Sequence, residues 1–174
     1  MVSQKEETNF MLDNYPKFLR RAFDYSLQFD YDYELNQNLC SILVKGSNII
    51  SVGYNKAKTT NQFMEHYANV ARGHNRNYYM SVHSECDAIL KARNKTDLSR
   101  CKLYTIRRCH EPKLGVVGLS RSCQICETAS RAYGITKSWY SIDDNHFGCM
   151  TIGSSTNQTK DKIYRCESFW DDED

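Results

Sequence analysis

Two runs, His83-Ser84-Glu85-Cys86-Asp87-Ala88-Ile89-Leu90 and Ser122-Cys123-Gln124-Ile125-Cys126, decide how the rest of the chain is read. Residues 84–93 favour helix, with Ala88, Ile89 and Ala92 able to face a core, and 124–133 reads as a second helix ending at Gly134. Each motif falls where a helix begins, so the two can converge from neighbouring helix N-termini. The imidazole of His83 and the thiolates of Cys123 and Cys126 make a three-ligand set for zinc. A tetrahedral ion would keep a fourth position for water, as catalytic rather than closed structural sites do. The partial positive charge at helix N-termini favours the two thiolates. Glu85, two residues from His83, is placed to accept a proton from that water without ligating the ion.

Outward from these motifs the pattern alternates. Between them lies a strand at 102–106 and a long loop at 107–121, and after them a strand at 135–142. Upstream, 61–72 reads as a helix carrying Phe63, Tyr67 and Val70 on one face, stopped by Gly73, and 73–79 as a polar loop. Strands at 39–44 and 49–54 are joined by Lys45-Gly46-Ser47-Asn48, a hairpin turn. A helix at 15–28 has Phe18, Leu19, Ala22, Phe23 and Leu27 at helical spacing, with Asn14 the expected N-cap and Pro16 in the first turn. Strand, helix, strand, helix, strand implies an α/β layer structure. Residues beyond 143 are weakly patterned.

The whole chain, 174 residues with 40% apolar and 12% aromatic residues and two prolines, is the size of one globular domain. Mean hydropathy is −0.67, and no apolar run approaches the ~18 residues of a membrane span. The polar start, Met1-Val2-Ser3-Gln4-Lys5, lacks a signal-peptide pattern, so a cytoplasmic location is expected. In that setting eight cysteines favour metal ligation or buried thiols over disulfides. The net charge of +2 hides an asymmetry: without Asp171, Asp172, Glu173 and Asp174 the 21 acidic residues fall to 17 against 23 basic ones. That surplus suits an anionic partner.

These residues resemble the cytidine/deoxycytidylate deaminase superfamily. His-x-Glu followed by Cys-x-x-Cys is the zinc-deaminase pattern. The likeness continues through the 102–106 strand, through Tyr133-Gly134-Ile135 leading to Trp139-Tyr140, and through Val52-Gly53-Tyr54-Asn55, similar to a Gly-aromatic-Asn segment at the end of the second strand. The insert between Asn55 and His83 is more like deoxycytidylate deaminases and virus-borne relatives than compact nucleoside deaminases. The resemblance implies a three-layer α/β/α fold around a mixed five-stranded sheet, with zinc on His83, Cys123 and Cys126 and Glu85 as the proton shuttle. It places Asn55 on the substrate's sugar hydroxyl and the backbone N–H of Ser84 on the pyrimidine carbonyl. The implied reaction converts the cytosine ring of a nucleotide or nucleoside, dCMP-like, to uracil with release of ammonia, in an assembly of identical subunits. Ser122 stands where the family usually has proline, and Ser84 where it usually has alanine.

On this reading residues 1–14 form a leader, 15–145 the deaminase domain and 146–174 a C-terminal extension with an acidic tail. Two other readings compete. Deamination of a base in single-stranded DNA or RNA would need a basic groove, and no further nucleic-acid-binding module accompanies the domain, which favours the small substrate. A non-catalytic zinc module would have no use for Glu85. Cys40 and Cys86 lie on core-forming segments and are expected to be buried apolar groups. Basic residues flanking the motifs, among them Lys56, Lys58, Arg76, Lys113 and Arg121, are expected to be solvated for the most part, with one or two available to a phosphate. Tyr78-Tyr79 and Trp139-Tyr140 are available to stack on a base, although aromatic residues at strand and loop edges usually serve packing.

Overall fold

A computed structural model describes residues 12–30, 32, 35, 37–57, 61–72, 81–110 and 115–166. The expected leader up to residue 11, Gly73 with the 73–79 loop and its Arg76, Tyr78 and Tyr79, Lys58, Lys113 and the acidic tail lie outside them. The first hairpin forms as its pattern predicts: β1 (Asn38–Lys45) and β2 (Asn48–Tyr54) pair antiparallel, with Gly46 at φ 60° in the turn. Short β3 (Lys56–Ala57) pairs with β4 (Ser81–Val82), which leads directly into the first motif.

Strand β5 (Cys101–Arg108) lies antiparallel to β1, and β7 (Lys137–Asp143) runs parallel to β5 after a helical crossover. The sheet is mixed, as expected, but larger: the described strands number seven, not five. Beyond the four strands read along the sequence, two come from the weakly patterned end, where β8 (His146–Thr151) and β9 (Lys160–Arg165) extend the sheet in the order β2-β1-β5-β7-β8-β9. The expected 107–121 loop is also partly strand, because β6 (Val117–Gly118) pairs with Arg107 and Arg108.

Strand alternation makes two cores. Cys40, Ile42, Val44, Tyr104 and Ile106 pack toward helix α1 (Lys17–Ser26), together with Phe18, Leu19, Phe23 and Phe147. Leu43 and Leu103 face the other way, toward α2 (Gln62–Arg72), α3 (Ser84–Ala92) and α4 (Gln124–Ala132). Helices on both faces give the α/β/α layering. Among the described residues no helix is long and apolar enough to cross a membrane.

Two local expectations need correction. Pro16, not Asn14, is the N-cap of α1, with no side-chain capping bond; its fixed φ and missing N–H set the chain for a helix starting at Lys17. On α2 the buried residues are Phe63, Met64 and Ala68, while Val70 is 60% exposed. Phe63 and Tyr67 pack on the core as expected, and Met64, Ala68 and Ala71 complete the inward face in place of Val70.

Candidate active site

His83 and Cys123 are the N-cap residues of α3 and α4, both in extended conformation (ψ 146° and 170°), and Cys126 lies in the first turn of α4. Their carbonyls accept the first helical bonds, from Asp87 N and Glu127 N, each at 2.9 Å. The two helix starts, separated by many residues in sequence, thereby present three metal-binding side chains to one point. His83 Nδ1 is 3.3 Å from Cys126 Sγ and 3.3 Å from Cys123 Sγ. All three donor atoms lie within 4.8 Å of one another.

This donor set fits zinc. A tetrahedral ion with bonds of about 2.1 Å to nitrogen and 2.3 Å to sulfur separates those ligands by roughly 3.6 Å, close to the spacing found. Proton energetics point the same way. The Cys126 thiol as hydrogen-bond partner holds Cys123 down to about 3, burial opposes this, and His83 reinforces it. Cys126 is pushed well up as the partner that keeps its proton, first by Cys123 and then by Cys86. Burial works to lower His83, but the hydrogen bond and charge of Cys123 outweigh it and leave the imidazole raised. A metal held by this set would need both sulfurs as thiolates and an unprotonated His83 ring nitrogen, so its binding would release protons.

Glu85, in the first turn of α3, is 4% exposed. Burial, then the negative charge of Cys123, pushes its carboxyl above the usual carboxylate range, with His83 opposing. Ser84 is fully buried, and its Oγ donates to Glu85 Oε2 at 3.2 Å. The Ser84 N–H belongs to the first turn, where an α-helix supplies no acceptor of its own. Ser122 is buried at the position expected for proline, and its hydroxyl lies 3.4 Å from Ser138 Oγ of β7. Its side chain also hydrogen-bonds the Glu85 carboxyl, so it faces the site as well as the sheet.

Asn55 sits just past β2 and spans to the start of β1. Its Oδ1 accepts from Leu39 N at 2.8 Å and its Nδ2 donates to the Gln37 carbonyl. Both ends of the amide therefore hold the strand end, which is also what a strand-terminating Asn would do.

Three contributors escape the motif reading. Cys86, expected only as a buried apolar group, is buried, and its sulfur lies 3.8 Å from Cys126 Sγ. Its spacing of three from His83 on one helix was the available signal. Asp87 accepts from Tyr54 N at 3.0 Å, Lys91 Nζ at 2.7 Å and Lys56 Nζ at 3.3 Å, which fastens the end of β2 to α3. Lys56 is thereby paired. Gly53 lets this contact close: a Cβ there would lie 2.2 Å from Ser84 O and 2.4 Å from Ala88 N.

Arg121, just before the cysteines, makes a two-pronged bond to Asp161 of β9 (3.0 and 2.8 Å), and Tyr140 donates to the same carboxylate at 2.7 Å. At the other end of α4, Arg131 donates to Gly153 O at 2.7 Å and Glu127 Oε1 at 2.6 Å. The eight cysteines, all among the described residues, form no disulfide.

Comparison with known proteins adds similarity at low identity. No family model matches the chain, and no curated protein does. Among solved structures it is similar to the dCMP deaminase of the cyanophage S-TIM5 in apo form, with 16% identity, a TM-score of 0.46, and 72% of this chain and 80% of that one covered. A structure of that phage enzyme with dCMP and dUMP gives 14% identity, a TM-score of 0.45 and coverage of 82% and 85%. The cytidine deaminase of Burkholderia pseudomallei gives 12% identity, a TM-score of 0.46 and coverage of 86% and 91%.

Proposed function

We propose that this chain is a zinc-dependent hydrolytic deaminase that converts the cytosine ring of a pyrimidine nucleotide or nucleoside, dCMP-like, to uracil and releases ammonia. The observation that carries the reading is the buried Glu85 beside a three-donor His83/Cys123/Cys126 set. A structural zinc site has no use for a desolvated carboxylate at its open side.

His83, Cys123 and Cys126 would hold the ion. Zinc held there supplies Lewis-acid activation of water near neutral pH. Glu85 takes one proton from the attacking water and delivers it to N3 of the ring as the C4–O bond forms. It then carries the second proton to the exocyclic nitrogen as the C4–N bond breaks, leaving a carbonyl at C4 and free ammonia. The raised carboxyl of Glu85 suits it to both transfers. The free N–H of Ser84 would bind the pyrimidine carbonyl. Asn55 would reach the sugar hydroxyl through the hydrogen-bonding capacity that Leu39 and Gln37 leave on its amide.

The test has two parts. Purified protein is expected to bind about one zinc per chain, and Glu85→Ala should keep the metal while lowering ammonia release by at least about 10²- to 10⁴-fold. Wild type is then incubated with cytidine, deoxycytidine, their mono- and triphosphates and cytosine-containing oligonucleotides, and products are weighed for the ~1 Da change of amine to carbonyl. Turnover confined to oligonucleotides would move the reading to nucleic acid. Zinc without turnover on any substrate, or full activity in Glu85→Ala, would overturn it.

A further inference from the structure

Behind Glu85 lies a row of three buried hydroxyls. Ser84 Oγ donates to Glu85 Oε2 and lies 2.7 Å from Ser41 Oγ, which lies 2.8 Å from Thr105 Oγ1. Ser41, Ser84 and Thr105 are all fully buried. Ser41 and Thr105 are register partners on β1 and β5, on the sheet face that looks toward α3. Three separate elements thus contribute one hydroxyl each.

Each hydroxyl carries one proton. Ser84 directs its proton to Glu85, so Ser41 must donate to Ser84, and Thr105 must then donate to Ser41. With Glu85 ionised the row runs from Thr105 to Ser41 to Ser84 to Glu85 and presents a hydrogen to one carboxyl oxygen. Buried groups of this kind are costly when unpaired, so the arrangement is held firmly. Ser84 stands where the resemblance leads one to expect alanine, which has no hydroxyl, and the row therefore belongs to this chain's own sequence.

We infer that Ser41 and Thr105 are positioning residues for Glu85: through Ser84 they fix Oε2 as an acceptor and so set the orientation of the carboxyl that exchanges protons with the substrate. This rests on the deaminase reading given above. The substitution pair Thr105→Val and Thr105→Ser separates orientation from packing, because valine keeps the volume and loses the hydroxyl while serine does the reverse. Thr105→Val should lower kcat by about tenfold to a hundredfold, with KM and zinc content unchanged. Thr105→Ser should keep wild-type kcat although its lost methyl lowers the unfolding midpoint. Ser41→Ala should lower kcat in the wild-type background and change nothing further in Ser84→Ala, where the link to Glu85 is already cut.

A second readout needs no turnover: the side-chain carboxyl ¹³C resonance of Glu85, assigned by its loss in Glu85→Gln, should move in Thr105→Val and stay in place in Thr105→Ser. Should Thr105→Val fail to fold, Ser84→Ala carries both measurements, with the same drop in kcat and a moved resonance expected. The inference is overturned if Thr105→Ser is slower than Thr105→Val, or if kcat and the resonance stay at wild-type values in the variants that lack a hydroxyl. If wild type turns over no cytosine substrate, the deaminase reading fails, while the resonance still reports whether the row holds Glu85.

Discussion

On the α1 side of the sheet, β1 and β5 present Cys40, Ile42, Val44, Tyr104 and Ile106 to an aromatic layer that includes Phe18, Trp139 and Phe147. On the opposite side the same two strands present Ser41, Leu43, Leu103 and Thr105 to α3 and its neighbours. One face is held by area removed from water and by ring contacts such as Tyr104 with Phe18 (5.3 Å between centroids) and with Trp139 (6.2 Å). The other carries buried Ser41, Ser84, Glu85, Asp87 and Thr105, groups that cost stability unless each finds a partner. Both faces bury apolar side chains, but the second also buries hydroxyl and carboxyl groups, so under the proposed function adhesion is common to both faces and the orientation of Glu85 belongs to one.

The sharpest way to break that division is Tyr104→Ala. It should cost about 3–5 kcal/mol in chemical unfolding, as large aromatic truncations in cores do, while the folded fraction keeps its kcat. Loss of kcat without loss of stability would refute the separation. Gly53→Ala should act on both tasks, because the new methyl would collide with backbone atoms at Ser84 and Ala88. A cost of about 1–3 kcal/mol is expected, together with a fall in kcat as α3 moves off β2, read by denaturant midpoint and initial rate.

The smallest effect concerns pH. Arg121 hydrogen bonds hold the Asp161 carboxyl below its usual range, against the opposing effect of burial. A depressed carboxyl stabilises the fold above its unfolded value of about 3.9, and that contribution disappears as pH falls through the lower folded value. Asp161→Asn should therefore cost about 0.5–1 kcal/mol at neutral pH, as partly exposed ion pairs do. It should also flatten the loss of stability below about pH 4, measured as the urea midpoint against pH.

Much of the arrangement was legible in the sequence because its signals are local. The β1–β2 hairpin is marked by two β-branched runs and a glycine turn, and the helices at 84 and 124 by their apolar spacing. His83 and Cys123 could be read as helix starts because the segments before them do not continue the helical pattern. What escaped depends on neighbours distant in sequence. Strand β9 is exposed along most of its length, Ile163 included at 65%, so it has no buried stripe to betray it and forms through backbone pairing with β8. Gly148 of β8 packs beneath the Tyr140 ring, where a Cβ would come within 2.3 Å, a contact no single-strand pattern encodes. Ser41 looks like a break in an apolar strand until Thr105 and Ser84 are placed beside it. Asn55 was readable as a residue of note, whereas the backbone partners of its amide were not.

The grip of Asp161 on Arg121 and of the Gly153 carbonyl on Arg131 takes on a further meaning when the chain is viewed as something inherited and recombined. An exchange of residues 146–166 between related genes would also replace Asp161, whose carboxylate holds the arginine just before Cys123, whereas the carbonyl held by Arg131 is backbone that any residue at 153 supplies. The late strands and the cysteine helix are therefore expected to pass from one generation of sequences to the next as a single block, with changes in one answered by changes in the other.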